Sequence, residues 1–238
     1  MYELEFSAIL TGEWGEMFKS ALFMTLTLSG LGIAGALVLG TITAVLRLSK
    51  VKVLTWPAAA YIEFFRNTPL LLQIYFWYFA VYPILIRSNF LGLGFLRDLP
   101  GFWPEIIFGT VALTVFTAAF IAEEIRSGIN TIPKTQLEAS RASGLSFLGA
   151  MRFVILPQAF RIIIPPLISQ FFFLFKNSSL VMALGVMELT LVARRVGQES
   201  GRTIEAFIVS TLIYITISLL VSFFIAEYNK RVLRTIKY

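Results

Sequence analysis

The chain has 238 residues, of which 57% are apolar and 14% are charged. This composition excludes an ordinary soluble domain, because several apolar runs reach the roughly 20 residues that a helix needs to cross a bilayer. The absence of Cys and His excludes disulfides, thiol chemistry and the commonest neutral-pH base and metal ligand. The net charge of +6 is typical of a membrane protein with basic cytoplasmic loops.

The first predicted element is an apolar span over residues 18–46. The residues before it, 1–17, carry four Glu and neither Lys nor Arg, so they lack the basic start of a secretory signal. Arg47, Lys50 and Lys52 follow the span directly. Because Lys and Arg accumulate in cytoplasmic loops, this arrangement predicts that the amino terminus lies outside.

The second apolar segment begins near Pro57 and is interrupted by polar residues before it continues. We interpret its first part, to about Arg66, as interfacial, and residues 69–86 as the second crossing. A loop rich in Gly and Pro follows on the outside. The third predicted span, residues 105–125, then returns to the cytoplasmic side.

The fourth predicted span covers residues 154–175 and contains prolines, which membrane helices tolerate when neighbours satisfy the freed carbonyls. In the segment from Lys176 to Gly201, the stretch KNSSLVMALGVMEL (176–189) is too short to cross, and the segment predicts a loop and a short helix against the outer half of the bundle. The fifth predicted span covers residues 204–226. Four basic residues follow this span: Lys230, Arg231, Arg234 and Lys237.

Together these elements predict one all-α integral membrane domain over residues 1–238. It has five transmembrane helices, the amino terminus outside and the carboxyl terminus in the cytoplasm. Under this topology 13 of the Lys and Arg residues lie inside and 7 outside, which supports the orientation. No internal repeat is evident, so the sequence gives no support to an inverted-repeat secondary transporter.

A polar interruption, residues 130–153, separates the third and fourth spans and predicts a helix, a break and a second helix. Pro133 suits a first helical position, Gly144 can end a helix in the left-handed conformation, and Ser146 can cap the next helix. Patterning alone favours an amphipathic interfacial turn. The second helix has apolar residues every four positions, namely Phe147, Met151 and Ile155.

The stretch EASRASGLSFLGAMRFVILP, from Glu138 to Pro157, resembles the EAA loop of ABC importer permeases. That motif consists of Glu-Ala-Ala, three residues, Gly, nine residues, Ile, any residue and Leu-Pro, and this chain departs from it at Ser140 and Val154. The resemblance implies a cytoplasmic coupling helix that seats in a cleft of an ATPase. The ATPase-coupling residues that it implies are Glu138, Ala139, Ser140, Gly144, Leu145, Phe147, Leu156 and Pro157.

Four further stretches are similar to signatures of the polar amino acid uptake permeases. They are FRNTPLL (65–71), AEEIRSGI with IPK (122–134), ILPQA (155–159) and KNSSL (176–180). The resemblance implies an ATP-driven importer, most similar to glutamate/aspartate permease subunits. Sister subunits with these segments carry other polar amino acids, so glutamine and basic amino acids stay open as substrates.

The same resemblance implies the partners and the location. The partners would be a cytosolic ABC ATPase dimer, a second permease that is identical or a sister chain, and an extracytoplasmic amino-acid-binding protein. The chain would sit in the bilayer of the bacterial inner membrane. It has no Gly-rich phosphate loop, so ATP and Mg would bind to the partner ATPase, and the chain itself would hold no cofactor, metal or nucleic acid.

Two rival classes of protein remain, a membrane-embedded enzyme and a channel. The enzyme would use buried carboxylates such as Glu123 and Glu124, but acids at the inner end of a helix more often pair with nearby cations, here Arg126 or Lys134. We therefore expect these two carboxylates to be neutralised. A channel has no role for a coupling loop.

An acidic substrate in a low-dielectric pathway requires cations or N–H donors. Lys176 lies where the fourth span meets the outer segment, whereas Arg66 opens the second crossing on the other side of the bilayer. Position alone is equally compatible with Lys176 snorkelling to the interface, and the serines beside it are more typical of helix capping than of a nucleophile. The substrate-pathway candidates are Arg66, Asn67, Thr68, Glu123, Lys176, Asn177, Ser178 and Ser179.

Overall fold

The computed structural model of the chain describes residues 3–49 and 51–233. Among them, five helical segments are long and apolar enough to cross a membrane. The prediction of an all-α protein with five transmembrane helices is confirmed. The five segments are Gly12–Leu48, Leu70–Arg87, Trp103–Asn130, Phe147–Leu184 and Thr203–Ile225.

The described part of the chain consists of helices joined by short turns. Two stretches are π-helices, Phe76–Val81 and Met151–Ile155, and two are 3₁₀-helices, Phe90–Asp98 and Ser178–Leu184. The α-helices are α1 (Ser7–Leu10), α2 (Gly12–Leu48), α3 (Lys52–Asn67), α4 (Leu70–Tyr75), α5 (Tyr82–Arg87), α6 (Trp103–Asn130), α7 (Lys134–Ala142), α8 (Phe147–Ala150), α9 (Leu156–Asn177), α10 (Leu189–Ser200) and α11 (Thr203–Leu233).

Helices α2 and α6 form the central pair of the bundle and pack along much of their length. The close approach depends on Gly40, where an added Cβ would lie 2.7 Å from a methyl carbon of Ile121. Small residues permit such approach between membrane helices, which gain packing rather than hydrophobic burial from one another. Helices α3, α4, α9 and α10 pack against one or both members of this pair.

The second crossing breaks where the sequence predicts it, between α3 and α4. Thr68 and Pro69 have extended backbone there, because Pro disfavours a helical conformation in the residue before it. The second half of α3 packs against the bundle, and its interfacial position stays a prediction. Ile62 is buried there against α2 and α6, and the Tyr61 hydroxyl donates to the Val115 carbonyl at 2.6 Å.

The fourth span is longer than predicted. It runs over Phe147–Leu184, because a π-helix joins α8 to α9 and a 3₁₀-helix continues after α9. The polar residues at 176–179, which the sequence places just beyond the end of a span, therefore belong to the same continuous helical segment. The predicted short helix on the segment after them is α10, which packs on α11, on α2 and on the 3₁₀-helix.

The amino-terminal segment is fastened to the corner between α10 and α11. Arg202 donates to the Glu3 carbonyl at 2.8 Å and to the Glu5 carboxylate. The Glu5 amide in turn donates to the Glu205 carboxylate. Ile9 is fully buried in an apolar cluster with residues of α10 and α11. We call this set of contacts the amino-terminal clasp.

The basic residues that support the predicted orientation are only partly described. Lys50, Arg234 and Lys237 lie outside the described residues. Arg47 is in the last turn of α2, as the prediction requires. The orientation itself, with the amino terminus outside, stays a prediction.

Candidate functional site

The turn at Gly144 ends α7 with a complete set of backbone hydrogen bonds. Gly144 has a φ of +90°, a conformation that costs an L-residue with a Cβ about 1–2 kcal/mol. The Leu145 amide donates to the Ser140 carbonyl at 3.2 Å, and the Gly144 amide donates to the Arg141 carbonyl at 3.0 Å. These two bonds define a Schellman motif. The predicted role of Gly144 as a left-handed helix end agrees with this geometry.

The predicted residues stand at the starts of the two helices in the coupling loop, residues 130–153, but one of them is shifted by one position. Ser146 accepts a hydrogen bond from the Gly149 amide at 3.1 Å and so caps α8. Pro133 stands one position earlier than predicted, before the first residue of α7, with extended ψ. The backbone turn at Gly144 and the start of α8 are therefore held by local hydrogen bonds.

The predicted apolar face of the second helix is divided between two surroundings. Ile155 is buried toward the bundle, whereas Phe147 is 51% exposed. The physical reason is the π-helix over Met151–Ile155, which inserts an extra residue per turn and ends the regular spacing. Phe147 and its neighbour Leu148 consequently project as an exposed apolar tip.

The remaining predicted coupling residues surround this tip. Ser140 is buried and its hydroxyl donates to the Leu137 carbonyl at 2.8 Å. Glu138 and Ala139 are exposed on α7, so they are accessible to another chain. Leu145 and Leu156 are half-buried and Pro157 is exposed.

The two carboxylates at the inner part of α6 differ in their partners. Glu123 accepts two hydrogen bonds from Arg126, one of them at 2.8 Å, as predicted. The prediction that Arg126 or Lys134 also neutralises Glu124 is wrong. Within the described residues, Glu124 forms no ion pair and accepts one long hydrogen bond from Gln170 at 3.4 Å, because Glu123 already occupies the guanidinium.

The first group of substrate-pathway candidates lies at the α3–α4 break. Asn67 donates to both the backbone and the carboxylate of Glu63, and the Thr68 hydroxyl donates to the Phe64 carbonyl. The Arg66 guanidinium lies over the ring of Phe120 on α6, 5.4 Å from its centroid. Arg66 is exposed, so its charge is available to a ligand.

The second group lies at the end of α9. The hydroxyls of Ser178 and Ser179 donate to carbonyls three residues earlier, which agrees with the capping interpretation. Lys176 is exposed beside a cavity of about 240 Å³ that also touches Ser218. Ser218 belongs to the segment Thr203–Ile225, which is long and apolar enough to cross a membrane, so Lys176 lies beside that segment.

The two groups are closer than the sequence predicted. Helix α4, which begins directly after Thr68 and Pro69, packs against the 3₁₀-helix Ser178–Leu184. Leu70, just beyond the break, shares one buried apolar cluster with Leu174 and Val181. The structure therefore brings the two groups to neighbouring elements, and the side of the bilayer on which each opens stays a prediction. Asn177 is half-buried at the end of α9.

Sequence reasoning missed the buried carboxylate that starts α10. Glu188 is fully buried and accepts from the amides of Thr190 and Leu191 and from the Tyr214 hydroxyl. Burial raises the pKa of this carboxyl, while those hydrogen bonds act in the opposite direction. An acid directly before an apolar helical run is a capping signal that could have identified it.

Gln73 and Trp77 were also missed. Gln73 is 5% exposed, and its side-chain amide nitrogen donates to the carbonyls of Phe65 and Thr68 and to the Thr68 hydroxyl. No local pattern marks such a residue, because its partners are set by the break. In the described part of the chain, no group of three or more acidic residues could hold a metal ion.

Comparison with known proteins agrees with this architecture. Residues 36–234 match the family model for the binding-protein-dependent transport system inner membrane component. The "Probable glutamine ABC transporter permease protein GlnM" of Bacillus subtilis (strain 168) is 38% identical over 215 residues, 90% of this chain and 93% of that protein. The "Glutamate/aspartate import permease protein GltK" of Escherichia coli O157:H7 is 32% identical over 231 residues, 97% and 99% of the two chains.

Solved structures share the fold. A crystal structure of an amino acid ABC transporter with histidines superposes with a TM-score of 0.81 at 30% identity, covering 97% of this chain and all of that one. An inward facing form of the MetNI methionine ABC transporter superposes with a TM-score of 0.69, covering 96% of this chain and 100% of that one. At 19% identity, the second likeness concerns the fold alone.

Proposed function

The chain belongs to the family of inner membrane components of binding-protein-dependent transport systems, and on that premise we propose that it imports an acidic amino acid, glutamate or aspartate. It is a multi-pass permease of an amino-acid ABC importer, a class that works with an ATPase and a binding protein. We place it in the bacterial cytoplasmic membrane, with an ATPase dimer below and an amino-acid-binding protein outside.

The coupling loop, residues 130–153, supports the ATP-driven part of the proposal. Its backbone is closed by the Schellman motif at Gly144, while Phe147 and Leu148 stay exposed to solvent. A rigid loop with an unpartnered apolar tip can transmit displacement only if another protein holds that tip. We propose that the partner ATPase, which carries the ATP and Mg, does so through residues 138–147.

Alternating access follows from two ligands that prefer different states. ATP would draw the ATPase subunits together and move the coupling loops, whereas the loaded binding protein would favour the outward-facing permease. A ligand shifts such an equilibrium only by its differential affinity for the two states. The second permease, identical or a sister chain, would complete the pathway.

The single observation that carries the acidic substrate is the position of Lys176. No ion pair to Lys176 occurs among the described residues, and its side chain borders a cavity shared with Ser218 of the apolar segment Thr203–Ile225. Placing an ammonium inside the bilayer costs free energy unless an anion or a polar cavity accompanies it. A substrate carboxylate would supply the anion, and the substrate named for GltK has such a group.

A basic amino acid is the second candidate, because Glu124 has no cationic partner among the described residues. Glutamine, the substrate named for GlnM, is the neutral alternative. The deciding experiment is the ATPase rate of the reconstituted complex with its binding protein, measured across aspartate, glutamate, glutamine, arginine and histidine. Stimulation mainly by the acidic pair supports the proposal, and stimulation mainly by arginine or histidine overturns it.

The residue-level test uses two variants at one position. Lys176→Gln is expected to reduce the stimulation by acidic ligands about tenfold, the loss of one hydrogen bond to a charged group, and to leave the basal ATPase rate near normal. Lys176→Arg keeps the charge and serves as the matched control. If Lys176→Gln responds to glutamate as the wild type does, Lys176 only snorkels from its helix.

A further inference from the structure

Helices α9 and α11 enclose a cleft that is lined in part by polar side chains, although both helices belong to segments that can cross a membrane. This α9–α11 cleft is the cavity of about 240 Å³ beside Lys176. Its other polar residues are Ser169 on α9 and Ser218 and Ser222 on α11. A lysine that faces lipid costs free energy, so its place among three serines indicates a polar pathway or a ligand.

The two helices run antiparallel along the cleft. The ring of Phe175 lies 5.3 Å from the ring of Tyr214, centroid to centroid. Nearer the start of α9, Ser169 shares the cleft with Ser222, which is nearer the end of α11. Helical side chains lean toward the amino-terminal end of their helix. The Lys176 side chain therefore leans back along α9 toward the level at which Ser169 and Ser222 face each other.

Three side chains of the cleft are accessible to a ligand, since Lys176, Ser169 and Ser222 are all exposed. Among the described residues, the side chains of Lys176 and Ser222 make no hydrogen bond. The Ser169 hydroxyl makes one long hydrogen bond, 3.4 Å to the Pro165 carbonyl. The oxygen of Ser218 is buried, so Ser218 forms only part of the wall.

One ammonium and two hydroxyls around the same space are donors for an anion with several acceptor oxygens. A carboxylate meets this requirement with two charged oxygens. An amide offers one neutral oxygen, and its own N–H groups would compete with the ammonium. The rings of Phe172 and Phe173 also border the cleft, so they can pack against the methylene groups of a small amino acid.

We propose that Ser169 and Ser222 complete, with Lys176, the site that binds the side-chain carboxylate of the transported amino acid. The inference rests on the proposed function and deepens it, because it adds a specificity-determining residue on the fifth crossing to a site otherwise assigned to Lys176 alone. Carboxylate against amide is the difference between glutamate and glutamine, which are named for two of the relatives.

The test uses the absence of Cys from the chain, because Ser222→Cys then places a single thiol in the cleft. The purified permease–ATPase complex in nanodiscs is treated with an anionic methanethiosulfonate, with and without a non-hydrolysable ATP analogue, and labelling is read on the permease chain. Glutamate at about ten times its Kd should slow labelling about tenfold. Glutamine should require a concentration about tenfold higher for the same effect.

Three further variants make the result specific to the cleft. Leu220→Cys, at an exposed leucine on the opposite face of α11, is the matched control and should stay unlabelled. Ser169→Cys repeats the test from the other wall. Lys176→Gln in the Ser222→Cys background should abolish protection by glutamate. It should also lower the preference for the anionic over a cationic reagent about tenfold.

The outcomes separate this site from the proposed substrate. If glutamate stimulates the ATPase in the presence of the binding protein but slows labelling at neither serine position, the inference is overturned and the acidic substrate stands. If glutamine or arginine protects better than glutamate, both fall. Absence of labelling in both nucleotide states would show that the cleft faces lipid, and protection by phosphatidylglycerol alone would assign it to a lipid headgroup. Either result overturns the inference.

Discussion

The molecule interrupts its helices in two contrasting ways. At Gly144 the end of α7 is closed by backbone hydrogen bonds between residues at most five positions apart. At Pro69 side chains bind the freed carbonyls instead, and among them Gln73 reaches across the break to Phe65 and Thr68. The first break depends on a conformation and the second on a residue. They should therefore fail under different substitutions.

The largest effect is expected from Gly144→Val. An added Cβ would meet no other atom within 4 Å, so the damage comes only from the left-handed backbone, which opposes a β-branched residue by about 1–2 kcal/mol or more. Transport per ATP hydrolysed is expected to fall by at least tenfold, as measured by uptake and ATPase activity in proteoliposomes.

The matched control for that variant is Gly144→Asn, because Asn adopts the left-handed conformation more readily than Val. It should restore most of the coupled uptake. Equal uptake by the Val and Asn variants would show that the turn at Gly144 is merely flexible, and the contrast between the two breaks would disappear.

The second effect concerns the Pro69 break. Gln73→Leu removes the donor that satisfies the freed carbonyls, which should cost roughly 1–3 kcal/mol. The thermal unfolding midpoint of the purified chain in detergent is expected to fall by several degrees. Gln158→Leu, which removes a donor to one carbonyl inside a helix, is the control and should lower the midpoint less. Equal shifts would argue against a special role for Gln73.

A third, smaller effect is expected at the cap of α8. Ser146→Ala removes the hydroxyl that accepts from the Gly149 amide, at a cost of about 1 kcal/mol. Amide hydrogen exchange over residues 147–150 should accelerate several-fold. Ser143→Ala, which removes an exposed hydroxyl that donates to the Ala139 carbonyl of α7 and does not cap α8, should leave that exchange unchanged. If both variants exchange alike, the cap does not stabilise this helix.

The smallest effect is expected at Glu188, whose side chain caps α10 as Ser146 caps α8. Burial raises the pKa of Glu188 above its ordinary value of 4.5, so the folded chain binds a proton that the unfolded chain releases. Stability should therefore fall as the pH rises from 4.5 toward the folded-state pKa. Glu188→Gln should flatten the dependence of the unfolding midpoint on pH, and an unchanged slope would assign that dependence to other groups.

The contrast between the two breaks also shows which features the sequence could predict and which it could not. The five spans and the turn at Gly144 follow from local rules, namely apolar length, a glycine at a helix end and a serine after it. The length of the fourth span, the partner of Glu124 and the surroundings of Lys176 depend on contacts between segments far apart in sequence. A π-helix over Met151–Ile155 also shifts the register in a way that no spacing rule contains.

The amino-terminal clasp has a consequence for how the protein is made. Glu3 and Glu5 are translated about two hundred residues before their partners Arg202 and Glu205. Ile9 likewise finds its burial only among α10 and α11. The amino-terminal end of the first helix must therefore wait, without these contacts, until the fifth has been made. Closure of the clasp marks the docking of the fifth helix, and a protease that cuts the free amino-terminal segment would distinguish molecules before and after that step.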